Sequence, residues 1–197
     1  MYIFVFYWSA ALKSAHAHSA NLVDAHVSAN IPFGVIFATF MASMMLGSLG
    51  FTYILSVSTS PQLSSIREHL SPSMLVTVAI GGGSISLLVT VLQRNESLTF
   101  WAFCIFEACI GIYIPSMSAR RAAVVDDGDR AKIYGILRIP LNIFVVVALT
   151  TTTEGDAHRD QVFVCCAGLL LLSSLASAYW LKEDQIDLTS AVSSDRV

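Results

Sequence analysis

Apolar residues in this chain come in long unbroken runs, and polar residues gather in the short stretches between them. The runs are Tyr2 to Leu12, Pro32 to Val57, Ser73 to Leu92, Leu98 to Met117, Ile133 to Thr152 and Gln161 to Leu181. An apolar run of about twenty residues, coiled as a helix, crosses a hydrocarbon core of about 30 Å. Five of the six runs reach that length. The first, YIFVFYWSAAL, would rise only about 16 Å. It reads as the second half of a helix, in a chain whose upstream residues are missing. A secretory leader is the competing reading, but no positive charge precedes this run and Lys13 follows it.

The expected fold is therefore an all-α membrane protein, a six-helix transmembrane bundle over residues 1–182 with its first helix truncated. Pro32 and Pro72 fall at or beside helix starts, where a missing N–H costs nothing. Spans two to six are joined by connections of about fifteen residues or fewer, which predicts consecutive antiparallel neighbours. No soluble domain is inserted. Residues 183–197 are polar and aperiodic, and are expected to form a disordered cytoplasmic tail.

Composition agrees: 55% of the 197 residues are hydrophobic, 13% are charged and the mean hydropathy is +0.67. A soluble domain carries roughly a quarter charged residues. The net charge of −3 provides no basic field for nucleic acid, so the expected surroundings are a lipid bilayer. Counting basic residues on alternate sides places Arg67, Arg120, Arg121, Arg130, Lys132, Lys182 and Arg196 on one side, and Lys13, Arg94 and Arg159 on the other. The richer side, with the C-terminus, is then cytoplasmic. The sequon Asn95-Glu96-Ser97 faces outward, too close to the membrane for glycosylation to be expected.

Only Glu107 and Arg138 among the ionisable residues fall clearly within spans. A charge at mid-membrane costs roughly 2.5–3.5 kcal/mol on insertion scales, so such residues normally face a bundle interior or a watery path. Glu107 lies near the centre of the fourth span, and Arg138 roughly 8 Å into the fifth. One reading is an architectural pair across neighbouring helices, or Arg138 snorkelling to the interface. The other is function: Glu107 in proton or substrate coupling, Arg138 as positive charge for an anion. Pro115 and Pro140 follow these residues and free the carbonyls of Gly111 and Ile136, so Gly111, Pro115 and Pro140 are candidate helix breaks. Tyr113 and Asn142 are weaker candidates for lining a path.

Small residues predict close helix contacts at Gly34, Ala38 and Ala42, with Ser43 and Gly47 repeating the spacing. Gly81-Gly82-Gly83 reads as a packing notch or a hinge. His16, His18, Asp24 and His26 superficially resemble a metal site, but nothing fixes their geometry, so no metal is expected. Cys104, Cys109, Cys165 and Cys166 lie in apolar runs, as small buried hydrophobes do. The chain has no nucleotide-binding glycine loop, HExxH helix or GxSxG turn, and neither an enzyme nor a cofactor is expected.

The stretch FEACIGIYIPSMSARRAAVVDDGDRAKIYGILRIPLN, Phe106 to Asn142, resembles the molybdate-anion transporter family, a branch of the major facilitator superfamily. The resemblance lies in an acidic residue followed by Gly-x-Tyr-x-Pro-Ser-Met, a paired-basic loop and an Arg-x-Pro-Leu element. YIFVFYWSAAL and PFGVIFATFMASMMLGSLGF are also similar to that family's first two helices of the C-terminal half. Ala10 and Ile136-Leu137 depart from the family pattern. The resemblance implies the C-terminal half of a twelve-helix plasma-membrane transporter, whose partner is a missing N-terminal six-helix half. It also implies an oxyanion substrate, molybdate, moved by alternating access. Another small solute, such as a sugar or organic acid, is an alternative because fold does not imply function. A non-transporting membrane interaction subunit is a third.

Overall fold

The computed structural model describes residues 2–20, 32–58, 72–93, 95–124, 128, 130–150 and 156–194. Regular structure among them is entirely helical: α1 (Tyr2–Ala20), α2 (Phe33–Ser58), α3 (Pro72–Leu92), α4 (Glu96–Val124), α5 (Arg130–Thr150) and α6 (Asp156–Ser194). Each of α2 to α6 contains a stretch long and apolar enough to cross a membrane.

Helix ends follow local chemistry. The Pro32 carbonyl accepts the first hydrogen bonds of α2, from Val35 and Ile36 at 3.0 and 3.2 Å. Asn95 caps α4: its Oδ1 accepts from the Ser97 N–H at 3.1 Å, and its carbonyl from Thr99 at 2.9 Å. The sequon asparagine is thus engaged in starting a helix. The eleven-residue first helix is corrected to 19 residues. It continues beyond Leu12 because KSAHAHSA is rich in alanine and has no breaker. For the same reason α4 runs on through ARRAAV. α6 carries helical backbone to Ser194, past the expected tail boundary at 183, with no Gly or Pro in KEDQIDLTSAVSS to end it.

Consecutive helices are not in general neighbours, which corrects the sequence expectation. Among the described residues, α3 and α4 are the consecutive pair that packs closely; α2·α4 and α3·α6 are the other extensive pairs, and α1 makes lighter contact with α4, α5 and α6. This set is closed under an exchange of α1–α3 with α4–α6. The exchange turns α2·α4 into α5·α1 and α3·α4 into α6·α1, and leaves α1·α4 and α3·α6 as they are. Helices that alternate in direction make two such three-helix units inverted relative to each other.

An aromatic cluster fills the centre of the bundle. Phe4 of α1 meets Phe40 of α2 and Phe103 and Phe106 of α4 at ring centroids of 5.9, 5.0 and 5.1 Å. Trp8 closes on Phe40 at 5.4 Å, and Phe103 reaches Phe163 of α6 at 6.2 Å. Most of these contacts are edge-on, the arrangement that ring quadrupoles favour. Near the C-terminal end of α1, the His16 ring (Nδ1) and the Glu96 carboxylate (Oε2) lie 2.8 Å apart, joining α1 to the first turn of α4. Both side chains are part-exposed, so the pair contributes at most about 1 kcal/mol.

α3 is held by hydroxyls. Ser84 donates to the Ala167 carbonyl of α6 at 2.7 Å, and Ser86 donates to the Ala102 carbonyl of α4. Ser174 donates to the Thr77 carbonyl at 3.2 Å, and the Thr77 and Ser177 hydroxyls lie 2.7 Å apart. The triple glycine is a packing notch within continuous helix. A Cβ at Gly81 would lie 3.1 Å from Ser174 Oγ, and one at Gly82 would lie 3.0 Å from Cys109 Sγ. Hydrogen bonds between membrane helices average about 0.6 kcal/mol. Ser84→Ala is expected to lower stability by about that amount, read as a small fall in the melting temperature of the detergent-solubilised protein.

α2 and α5 turn most of their surface outward. Leu46 and Ile136 are 66% and 67% exposed, which suits contact with lipid or with further membrane helices. The small-residue expectation is half corrected. Gly34, Ala38 and Ala42 are exposed. The close approach is made by Gly47, where a Cβ would stand 2.2 Å from the Ala108 carbonyl oxygen of α4.

Candidate substrate pathway

Glu107 lies on the stripe of α4 that faces α1 and α2. One turn before it, Phe103 packs on Phe4 and Phe40. One turn after it, Gly111 meets α2 so closely that a Cβ would lie 2.0 Å from the Met44 carbonyl oxygen. Residues four apart share a helix face, so Glu107 is held between an aromatic layer and a backbone-to-backbone contact. Its side chain is 0% exposed, and neither carboxyl oxygen has a hydrogen-bond partner among the described residues.

Arg138 stands elsewhere. It is exposed on α5, one turn from the exposed Asn142, beside the face that carries Leu141, Val145 and Ala148. α5 packs chiefly on α1, because the interleaving of the two three-helix units separates α5 from α4. No ion pair joins Arg138 to Glu107 among the described residues. The two helices touch where α4 ends and α5 begins, with the Arg121 guanidinium 5.0 Å from the centre of the Tyr134 ring.

Tyr113 occupies a third environment. It lines an apolar cavity of about 470 Å³ with Phe106, Cys109, Phe144, Phe163 and Cys166 among its walls. Glu107, Arg138 and Asn142 do not line it. The four candidate pathway residues therefore occupy three settings: Glu107 sealed between helices, Arg138 and Asn142 exposed one turn apart on α5, and Tyr113 at the cavity. The cavity walls are a feature that sequence reading missed, since no motif marks the gap between α5 and its neighbours.

The expected breaks at Gly111, Pro115 and Pro140 do not interrupt the backbone: α4 and α5 run through both prolines. What remains is a missing hydrogen bond inside each helix. Next to Pro115, buried Ser116 donates its hydroxyl to the Ile112 carbonyl at 2.7 Å. Of the histidine group, His16 bonds Glu96, whereas Asp24 and His26 and the His18 side chain lie outside the described residues.

A polytopic all-helical membrane bundle with a sealed acid at Glu107 and an exposed cation at Arg138 is the class this architecture defines. Comparison with known proteins narrows it. The chain is similar to the molybdate-anion transporter of Takifugu rubripes, 27% identical over 95% of this chain. It is likewise similar to the molybdate-anion transporters of Xenopus laevis and Danio rerio, each 26% identical over 89% of this chain. It spans 38% of the length of the first of these and 35% of the other two. No protein-family profile matches the chain, and neither does any solved structure.

Proposed function

We propose that this chain is the C-terminal six-helix half of a major-facilitator-type secondary transporter that moves molybdate or a similar oxyanion by alternating access. The carrying observation is the likeness to molybdate-anion transporters along 95% of the chain, which accounts for little more than a third of their length. The closed set of helix pairings supports it, because inverted three-helix units nest within each half of such transporters. The exposed apolar faces of α2 and α5 support a second bundle packed against this one.

In this reading substrate passes between the two halves near mid-membrane. Arg138, exposed and outside any ion pair among the described residues, attracts the anion with a planar fork of donors suited to oxygen pairs. Asn142, one turn further along the same helix, adds a neutral donor. Tyr113 bounds the cavity that lets α5 shift against α4. Moving a dianion into a negative cell interior costs about 2.3 kcal/mol per charge for each 100 mV, so uptake needs a driving ion. The membrane is the plasma membrane, with the C-terminus in the cytoplasm on the side richer in Lys and Arg.

The test is uptake of labelled molybdate by the full-length protein in proteoliposomes, with tungstate, sulfate, a sugar and an organic acid as competitors. Molybdate uptake suppressed by tungstate supports the reading. Uptake no greater than that of empty vesicles overturns it.

A further inference from the structure

We infer that Glu107 is an occluded proton site: its carboxyl group holds a proton while α1 and α2 are closed on α4 and exchanges it with water only when they part. The proton is then the ion coupled to oxyanion movement, a step that rests on the transport reading above.

Three observations carry this. The side chain is wholly buried, with both oxygens unbonded among the described residues. An ionised carboxylate in that condition lacks water, counter-charge and donors at once, and so becomes neutral by taking up a proton. The helices around it provide no counter-charge: α2 and α3 contain no Asp, Glu, Lys, Arg or His anywhere along their length. On α1, Lys13 and His16 lie in the C-terminal half of the helix, and the amino group of this chain precedes its first residue. On the transport reading, with a second six-helix half ahead of this one, that nitrogen belongs to a peptide bond and carries no charge. On α4 itself, Glu96, Arg120 and Arg121 lie near the helix ends, leaving the thiols of Cys104 and Cys109 as the titratable groups near Glu107 along the chain. Ser43 and Ser48 of α2 are neutral.

The third observation is that the site is closed on both sides. Outward, Phe103 meets Phe4 and Phe40 edge-on at 5.0 and 6.0 Å. Inward, the Gly111 and Met44 backbones touch, as do those of Ala108 and Gly47. Water reaches the carboxyl group only if α4 separates from α1 or α2, a movement between the two three-helix units of this half that the proposal couples to alternating access. In each cycle the Glu107 O–H bond breaks, its proton passes to water on the inner side, and the carboxylate takes a proton from water on the outer side. The oxyanion is chemically unchanged.

Two measurements on the full-length protein in proteoliposomes test this, using Glu107→Gln, which keeps the volume and removes the titration. The infrared difference between wild type and variant at neutral pH is expected to contain a protonated-carboxyl C=O band that shifts in heavy water. A carboxylate band in its place overturns the proposal. Under an imposed inward proton gradient, wild type is expected to concentrate molybdate, whereas Glu107→Gln only equilibrates it. A variant that concentrates molybdate as wild type does overturns the coupling. If wild type moves no molybdate at all, the transport reading and the coupling fall together, and the infrared band still decides whether Glu107 holds a proton.

Discussion

Gly111→Leu in the full-length protein is expected to leave little correctly folded material in the membrane. The space beside Gly111 is filled by backbone, with the Met44 carbonyl oxygen 2.0 Å and the Ser48 nitrogen 3.1 Å from where a Cβ would stand. Neither neighbour is a side chain that can rotate away. Gly47 faces α4 in the reciprocal sense, against the Ala108 carbonyl. The helices must separate to admit even one methyl group. Separation loosens the edge-on contact of Phe103 with Phe40 as well, and overpacking of this kind costs about 1–3 kcal/mol, occasionally more. Gly50→Ala on α2 is the control, because nothing lies within 4 Å of its added Cβ. Size-exclusion profiles of solubilised protein should show an aggregated Gly111 variant and a monodisperse Gly50 variant. Equal profiles would contradict the contact.

The second large effect is expected at Arg138. Arg138→Gln should abolish molybdate accumulation while leaving folding intact, because the guanidinium is exposed and joins no ion pair among the described residues. A hydrogen bond to a charged group contributes about 1.5–3 kcal/mol, so its loss weakens anion binding roughly ten- to a hundredfold. Arg138→Lys keeps the charge without the two-pronged geometry and should recover only part of the uptake. Undiminished uptake by Arg138→Gln would remove this residue from the pathway.

The spans were legible in the sequence because membrane insertion depends on the length and apolarity of each run, which are local properties. α2 to α6 appear where those runs lie. Helix length beyond the runs was not legible: α1 continues through Lys13 and His16, since backbone hydrogen bonding does not stop where apolarity does. Which helices touch was illegible for a deeper reason. The lines Gly34-Ala38-Ala42 and Ser43-Gly47 have the same four-residue spacing, and only the position of α4 decides that the second is buried. Likewise Glu107 and Arg138 lie on helices joined by one short loop, yet α5 packs on α1. The interleaving of two three-helix units is a property of the whole bundle.

Burial of Glu107, by contrast, was foreshadowed by its position at the centre of a span. Its lack of a partner was not, because an absent hydrogen bond depends on all the surrounding helices. The rings that seal it were equally hidden. Phe4, Phe40 and Phe103 come from three helices, and each is an unremarkable apolar residue in its own run.

The hydroxyls of α3 set an order on how the protein is made. Ser84 bonds to Ala167, and Thr77 meets Ser174 and Ser177, so these partners are translated some eighty to a hundred residues later. Until α6 is made, the Ser84 hydroxyl lacks the carbonyl it bonds in the bundle, whereas the Thr77 hydroxyl is already bonded to the Ser73 carbonyl of its own helix. α4 meets the Ser86 hydroxyl earlier, through the Ala102 carbonyl. The sixth helix of this chain is therefore the one that completes the third, and a chain cut short before α6 lacks the partners that hold α3.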